Sequence, residues 1–245
     1  MPVLRCAPDA MTRLPLFILT LGFAVSVSAI GLGQKTIDSN FHHLRNAEPR
    51  EWSHFPENAE ADRLSLDFDV SDPDMWQVLT FRQEEVKQSW QVHLNGKRLG
   101  LLRRDHNHFE NALPIPAGLL KKGANRLEIF TESDQPDDIR VGDLALWPKG
   151  ESPVEEETAT KLAKNRGFQR AFPPLQAVLK LKATDESGNP LPCRFTIVAA
   201  ETGALALLGN ESNDQLAIRE GVVYSLDGMA SLKVAPKAYR VYAGR

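Results

Sequence analysis

Trp90-Gln91-Val92-His93-Leu94-Asn95-Gly96-Lys97-Arg98-Leu99-Gly100 decides how this chain reads. Trp90, Val92 and Leu94 alternate with Gln91 and His93, a period of two that buries one face of a strand. Asn95-Gly96 is the dipeptide that accepts positive φ at both centres of a two-residue hairpin turn, and Leu99 resumes the apolar series beyond it. Working outward, Leu64, Leu66, Phe68 and Val70 alternate with Ser65, Asp67 and Asp69. Downstream, Gly123-Ala124-Asn125 makes a turn before Leu127 and Ile129, which oppose Arg126 and Glu128. Ile139 and Val141, then Leu144 and Leu146, close the series at Trp147-Pro148. Short strands at this spacing, without amphipathic helices between them, predict a β-sandwich over residues 40–148.

Residues 149–174 differ: Glu155-Glu156-Glu157, few apolar positions, then Phe172-Pro173-Pro174, the composition of a linker. Alternation resumes at Leu175. Ala177, Leu179, Leu181 and Ala183 face away from Lys180, Lys182 and Thr184. Asp185 to Pro190 is a turn, and Asp227-Gly228 is a hairpin signal between Val222-Val223-Tyr224 and Ala230 to Val234. Tyr239, Val241 and Ala243 form a last strand, so 175–245 reads as a second sandwich. The expected fold is all-β: two β-sandwich domains after an N-terminal signal helix. Turn placement differs between the halves, which argues against an internal repeat.

Arg13 precedes the apolar run Leu14 to Val27, and Val27-Ser28-Ala29 offers the small residues that signal peptidase reads. Residues 1–29 are therefore expected to be a signal peptide cleaved near Ala29, translation starting at Met1 or Met11, with the mature protein secreted or periplasmic and lacking a membrane span. Of the chain's 29 basic and 32 acidic residues, cleavage removes Arg5, Arg13 and Asp9, leaving 27 and 31 and a net charge of −4. This balance argues against nucleic acid as a partner. Cys6 leaves with the signal; Cys193 alternates with Phe195 and Ile197, the pattern of a small buried hydrophobe. The chain stops at Gly244-Arg245 directly after a strand, from which further chain is expected to follow.

Two resemblances rest on these segments. Trp90 to Gly100, Leu113-Pro114-Ile115-Pro116 and Gly123-Ala124-Asn125-Arg126-Leu127-Glu128-Ile129 resemble a galactose-binding-like jelly roll over 40–148. Asp185 to Phe195, Asp227-Gly228-Met229-Ala230 and Pro236-Lys237-Ala238-Tyr239-Arg240-Val241 resemble a carboxypeptidase-regulatory-like (transthyretin- or fibronectin-like) sandwich over 175–245, with Lys237-Ala238 where that family usually carries a glycine. The order of the pieces, with Leu216 to Tyr224, resembles the N-terminal region of secreted bacterial proteins whose polymerase-and-histidinol-phosphatase-type metallohydrolase domain follows. The resemblance implies a non-catalytic accessory or binding region, contacting carbohydrate or the cell surface, with a hydrolase domain in cis. The alternative is a stand-alone cell-surface or matrix interaction protein.

The residues themselves offer no catalytic constellation. There is no Gly-x-Ser-x-Gly elbow and no phosphate-cradling Gly-rich loop before a helix. Glu84-Glu85 and Asp137-Asp138 are neighbours on strands, so each pair diverges. His106 and His108 in Asp105-His106-Asn107-His108 have the spacing of a metal pair, but no further ligands stand at complementary spacing, and a polar loop is the expected reading. Asp69, Asp72 and Asp74 lack the Gly and distal Glu of a calcium loop and read as a turn. No cofactor is expected, a structural Ca²⁺ held by backbone carbonyls excepted. The candidate ligand-binding residues are Trp52, Asp105, His106 and His108; Trp52 is the one tryptophan with loop-like surroundings, since Trp90, Trp76 and Trp147 adjoin or join strands.

Overall fold

The computed structural model describes residues 33–148 and 172–244. The signal peptide and residues 149–171 of the expected linker lie outside these. The described chain is all-β. In the first half, β1 (Lys35–Arg45), β3 (Val78–Glu84), β6 (Phe109–Pro114) and β8 (Asp138–Trp147) form one sheet in the order β1-β8-β3-β6. Strands β2 (Leu64–Val70), β4 (Gln91–Leu94), β5 (Lys97–Leu101) and β7 (Gly123–Phe130) form the facing sheet, ordered β2-β7-β4-β5. Between them lies a core that includes Leu79, Phe81, Trp90, Val92, Leu127, Ile129, Ile139 and Leu144. The Asn95-Gly96 turn has φ of 52° and 75°, as a type I′ hairpin requires.

The step from Ile139 and Val141 to Leu144 and Leu146 is a β-bulge. Pairing with β3 jumps from Thr80–Ala145 to Arg82–Gly142, so one extra residue restores the inward face. Gly142 is needed there: a Cβ would stand 2.0 Å from the Asn40 carbonyl oxygen on β1. Asp143, in the left-handed region at φ 55°, turns its carboxylate onto Arg82, with Nε to Oδ2 at 2.7 Å.

In the second half, β11 (Leu216–Arg219), β12 (Val222–Ser225), β10 (Cys193–Ala199) and β14 (Tyr239–Gly244) form a sheet in that order. Strands β9 (Ala177–Lys182) and β13 (Met229–Val234) pair over its inner face, around Phe195, Ile197, Val223, Leu232 and the buried Cys193. Burial pushes the Cys193 thiol pKa up, which keeps it protonated. Phe172 and Pro173, assigned from sequence to the linker, are buried, as apolar side chains beside a core should be.

The two halves meet along β6. Leu205 bridges to Phe109: its amide donates to His108 O at 2.9 Å, and its carbonyl accepts from Glu110 N at 3.0 Å. Arg103–Glu220 and Lys237–Glu110 ion pairs flank this seam. The start of the β6 edge is thereby covered at Phe109, which blunts part of a template for aggregation.

β1 is polar in sequence and is held by charge. His42 lies between two carboxylates, Nδ1 2.7 Å from Glu60 Oε2 and Nε2 2.7 Å from Asp38 Oδ2. Burial disfavours its charged form, but the two hydrogen bonds outweigh that and raise its pKa; against desolvation, the Asn40 amide and then His42 hold Asp38 low, and His42 with the His43 amide holds Glu60 low. A folded pKa above the unfolded value of about 6.5 gives stabilisation that is full below that pH and lost as pH rises through the folded pKa. For the carboxylates the sign reverses: their contribution is lost as pH falls through their lowered folded values. His42→Gln is therefore expected to lower Tm most near pH ~6 and progressively less toward pH ~9. Thermal melts of both proteins across that range check it; a pH-independent difference would mean that the imidazole stays neutral.

Candidate functional site

Asp137 and Asp138 point to opposite sides of the chain entering β8, and each anchors a different loop. Asp138 Oδ1 accepts from His43 Nε2 at 2.7 Å and Arg45 Nε at 2.8 Å, while Oδ2 accepts from Glu51 N at 2.7 Å. Desolvation opposes its ionisation, but these three donors hold its pKa below the usual carboxylate range. Arg45 also donates to the carbonyls of Pro56 and Glu57, and Phe55 stacks on His43 at 4.7 Å. The β1–β2 loop, which carries Trp52, is thus bound to the core. Asp137 Oδ2 accepts from Lys87 N at 3.1 Å, Gln88 N at 2.8 Å and Trp90 Nε1 at 2.8 Å, fixing the β3–β4 loop. Burial raises the Asp137 pKa, the Glu51 charge adding to it.

The two anchored loops meet at Trp52. Its indole is 40% exposed, with Lys87 Nζ 4.0 Å from the ring centroid and His54 stacked at 6.2 Å. Lys87 also pairs with Glu51. The result is a partly exposed aromatic ring with an ammonium over one face, a carboxylate paired to that ammonium, and an imidazole stacked beside it. Trp90 is fully buried, Trp76 packs on the core, and Trp147 donates Nε1 to Thr80 Oγ1 at 3.0 Å.

The other three candidates do not form one site with Trp52. Asp105 pairs through its backbone with Val86, and its carboxylate caps the bend by accepting from Asn107 N at 2.9 Å. His106 is exposed and reaches Glu85 Oε2 at 2.9 Å. It therefore touches the far end of the loop that carries Lys87. His108 turns to the sheet face instead, stacked on Phe41 at 5.2 Å with Nε2 3.1 Å from Arg82 Nη1, and burial lowers its pKa. The two histidines diverge, one to Glu85 and the other to Phe41 and Arg82. Among the described residues no group of three or more His, Cys, Asp and Glu is placed to hold a metal ion. Glu84 and Glu85 also part, to Arg140 and His106. Lys87, Glu51, Asp137 and Asp138 were missed as site residues; the adjacent acids were the visible signal.

No protein-family model and no curated protein matches the chain. Solved structures that align with it include a beta-glucuronidase of an uncultured Clostridium species, at 12% identity over 91% of this chain and 44% of that one, TM-score 0.28. A glycosyl hydrolase family 2 member from Bacteroides cellulosilyticus DSM 14838 aligns at 8% identity over 86% and 31%, TM-score 0.27. Bifidobacterium dentium beta-glucuronidase, complexed with coumarin-3-O-glucuronide, aligns at 13% over 88% and 45%, TM-score 0.27. The chain spans less than half the length of each of these structures. TM-scores of this size establish no shared fold or function. Among the described residues, no helix is long and apolar enough to cross a membrane.

Proposed function

We propose that this chain is an exported, non-catalytic accessory region that contacts carbohydrate through the Trp52 loop, of the kind that accompanies a metal-dependent hydrolase domain in cis. The observation that supports it is the exposed indole itself. Folding normally hides a tryptophan, and here two buried carboxylates anchor the loops that keep this one in solvent. Aromatic faces suit the apolar faces of sugar rings, and the neighbouring Lys87 ammonium and His54 imidazole offer polar groups to hydroxyls.

Screening the purified protein on a glycan array, then titrating the best binder by calorimetry, tests this reading. Trp52→Ala is expected to weaken binding roughly tenfold or more, about 1.4 kcal/mol or above, with a small loss of Tm from the missing Lys87 and His54 contacts. An array without signal, or equal affinity in the variant, would remove it.

A further inference from the structure

The outer face of the β11-β12-β10-β14 sheet carries a second surface, remote in sequence from Trp52. Strand register sets its composition. Across one row stand Ala217, Tyr224, Arg194 and Gly244; across the next, Arg219, Val222, Thr196 and Tyr242; then Val198 beside Arg240. Their inward neighbours Cys193, Phe195, Ile197 and Val223 fill the core, so these positions face out. Tyr224 is 46% and Tyr242 56% exposed, and all three arginines are exposed.

No Asp or Glu occupies an outward position on these four strands. Arg194, Arg219 and Arg240 form no ion pair with any described residue, whereas Arg45, Arg82 and Arg126 each hold a carboxylate. A net +3 face is therefore displayed on a chain whose overall charge is −3. Tyr224 lies directly beside Arg194, and Tyr242 shares its strand face with Arg240 two residues away, so each ring has a guanidinium neighbour. At about 4.8 Å between strands and 3.4 Å per residue, the two rings stand roughly 12 Å apart, diagonally across β10.

We infer that this face binds a carboxylate-bearing polysaccharide, a polyuronate chain. Tyrosine rings provide flat supports for sugar rings, and each guanidinium presents two parallel N–H groups to the two oxygens of a uronate. The rigid, open sheet face suits an extended repeating polymer better than a small compact ligand. Repetition of the same weak pair along the chain supplies avidity.

Affinity electrophoresis of the full chain in gels containing polygalacturonate tests the inference. Retardation is expected with polygalacturonate and is expected to fade as salt is raised from about 50 to 300 mM, because surface charge pairs are screened. Gels containing neutral dextran should leave mobility unchanged. The triple variant Arg194→Gln, Arg219→Gln, Arg240→Gln is expected to weaken retardation at least tenfold, and Tyr224→Ala with Tyr242→Ala severalfold, each with an unchanged Tm. Trp52→Ala should retain it, so failure of the Trp52 site and failure of this face are distinguishable. Unchanged mobility of the wild-type protein in polygalacturonate, or equal retardation of the triple variant, would overturn the inference. Capture by heparin or by anionic lipid vesicles without capture by polygalacturonate would also overturn it.

Discussion

Asp138→Ala is expected to lower folding stability by roughly 3–5 kcal/mol, the scale on which a buried ion pair is broken by removing one partner. The carboxylate is fully buried, and its partners Arg45 and His43 have side chains only 4% and 5% exposed. Without it, Arg45 Nε and His43 Nε2 lose their acceptor in a place that water does not reach. His43 is already short of one bond, since Nδ1 has no hydrogen-bond partner. The Glu51 amide would lose its acceptor too, which loosens the chain just before Trp52. Urea unfolding gives the loss directly. Replacing all three groups, with Asp138→Leu, His43→Leu and Arg45→Met, should recover most of it, because the penalty lies in the stranded charge rather than in the lost attraction. A single-variant loss below about 1 kcal/mol would mean that solvent enters this corner.

Trp90→Ala is the second large effect, expected at about 4 kcal/mol or slightly above. Its indole is fully buried between the two sheets of the first half. Truncation leaves a cavity lined by residues already committed to β-strands, which collapse poorly around it. It also removes the Nε1 donor from Asp137, whose Oδ1 already lacks a hydrogen-bond partner. Trp90→Phe keeps much of the volume and loses the donor, so it should fall between the wild type and Trp90→Ala. Equal losses for the two substitutions would place the cost in the hydrogen bond alone.

Several strands of the first half could be anticipated from alternation because most of their inward positions are apolar. The Trp90 to Gly100 hairpin, the Leu64 to Val70 strand and the phase slip between Val141 and Leu144 each leave a mark in the pattern. β1 leaves none. Its buried end is His43, Leu44 and Arg45, with register irregularities near Asp38, so a period of two cannot be seen. What permits burial there is a carboxylate about 90 residues away, and no local pattern encodes a pairing at that separation. The same holds for the site. Trp52 stood out because nothing around it alternates. Its support by Asp138 and the meeting with Lys87 depend on two loops brought together only by the closed sandwich. The spacing of two between His106 and His108 would give a common face only on a strand, whereas His106 sits in a bend and His108 just before β6.

The Leu205–Phe109 seam gives the two halves a mechanical character. Its backbone bonds lie beside β6, and the Arg103–Glu220 and Lys237–Glu110 pairs stand on either side. Tension applied to one half passes to the other through that hydrogen-bonded junction in parallel with the covalent chain. A load applied across the two halves would therefore be shared by this junction.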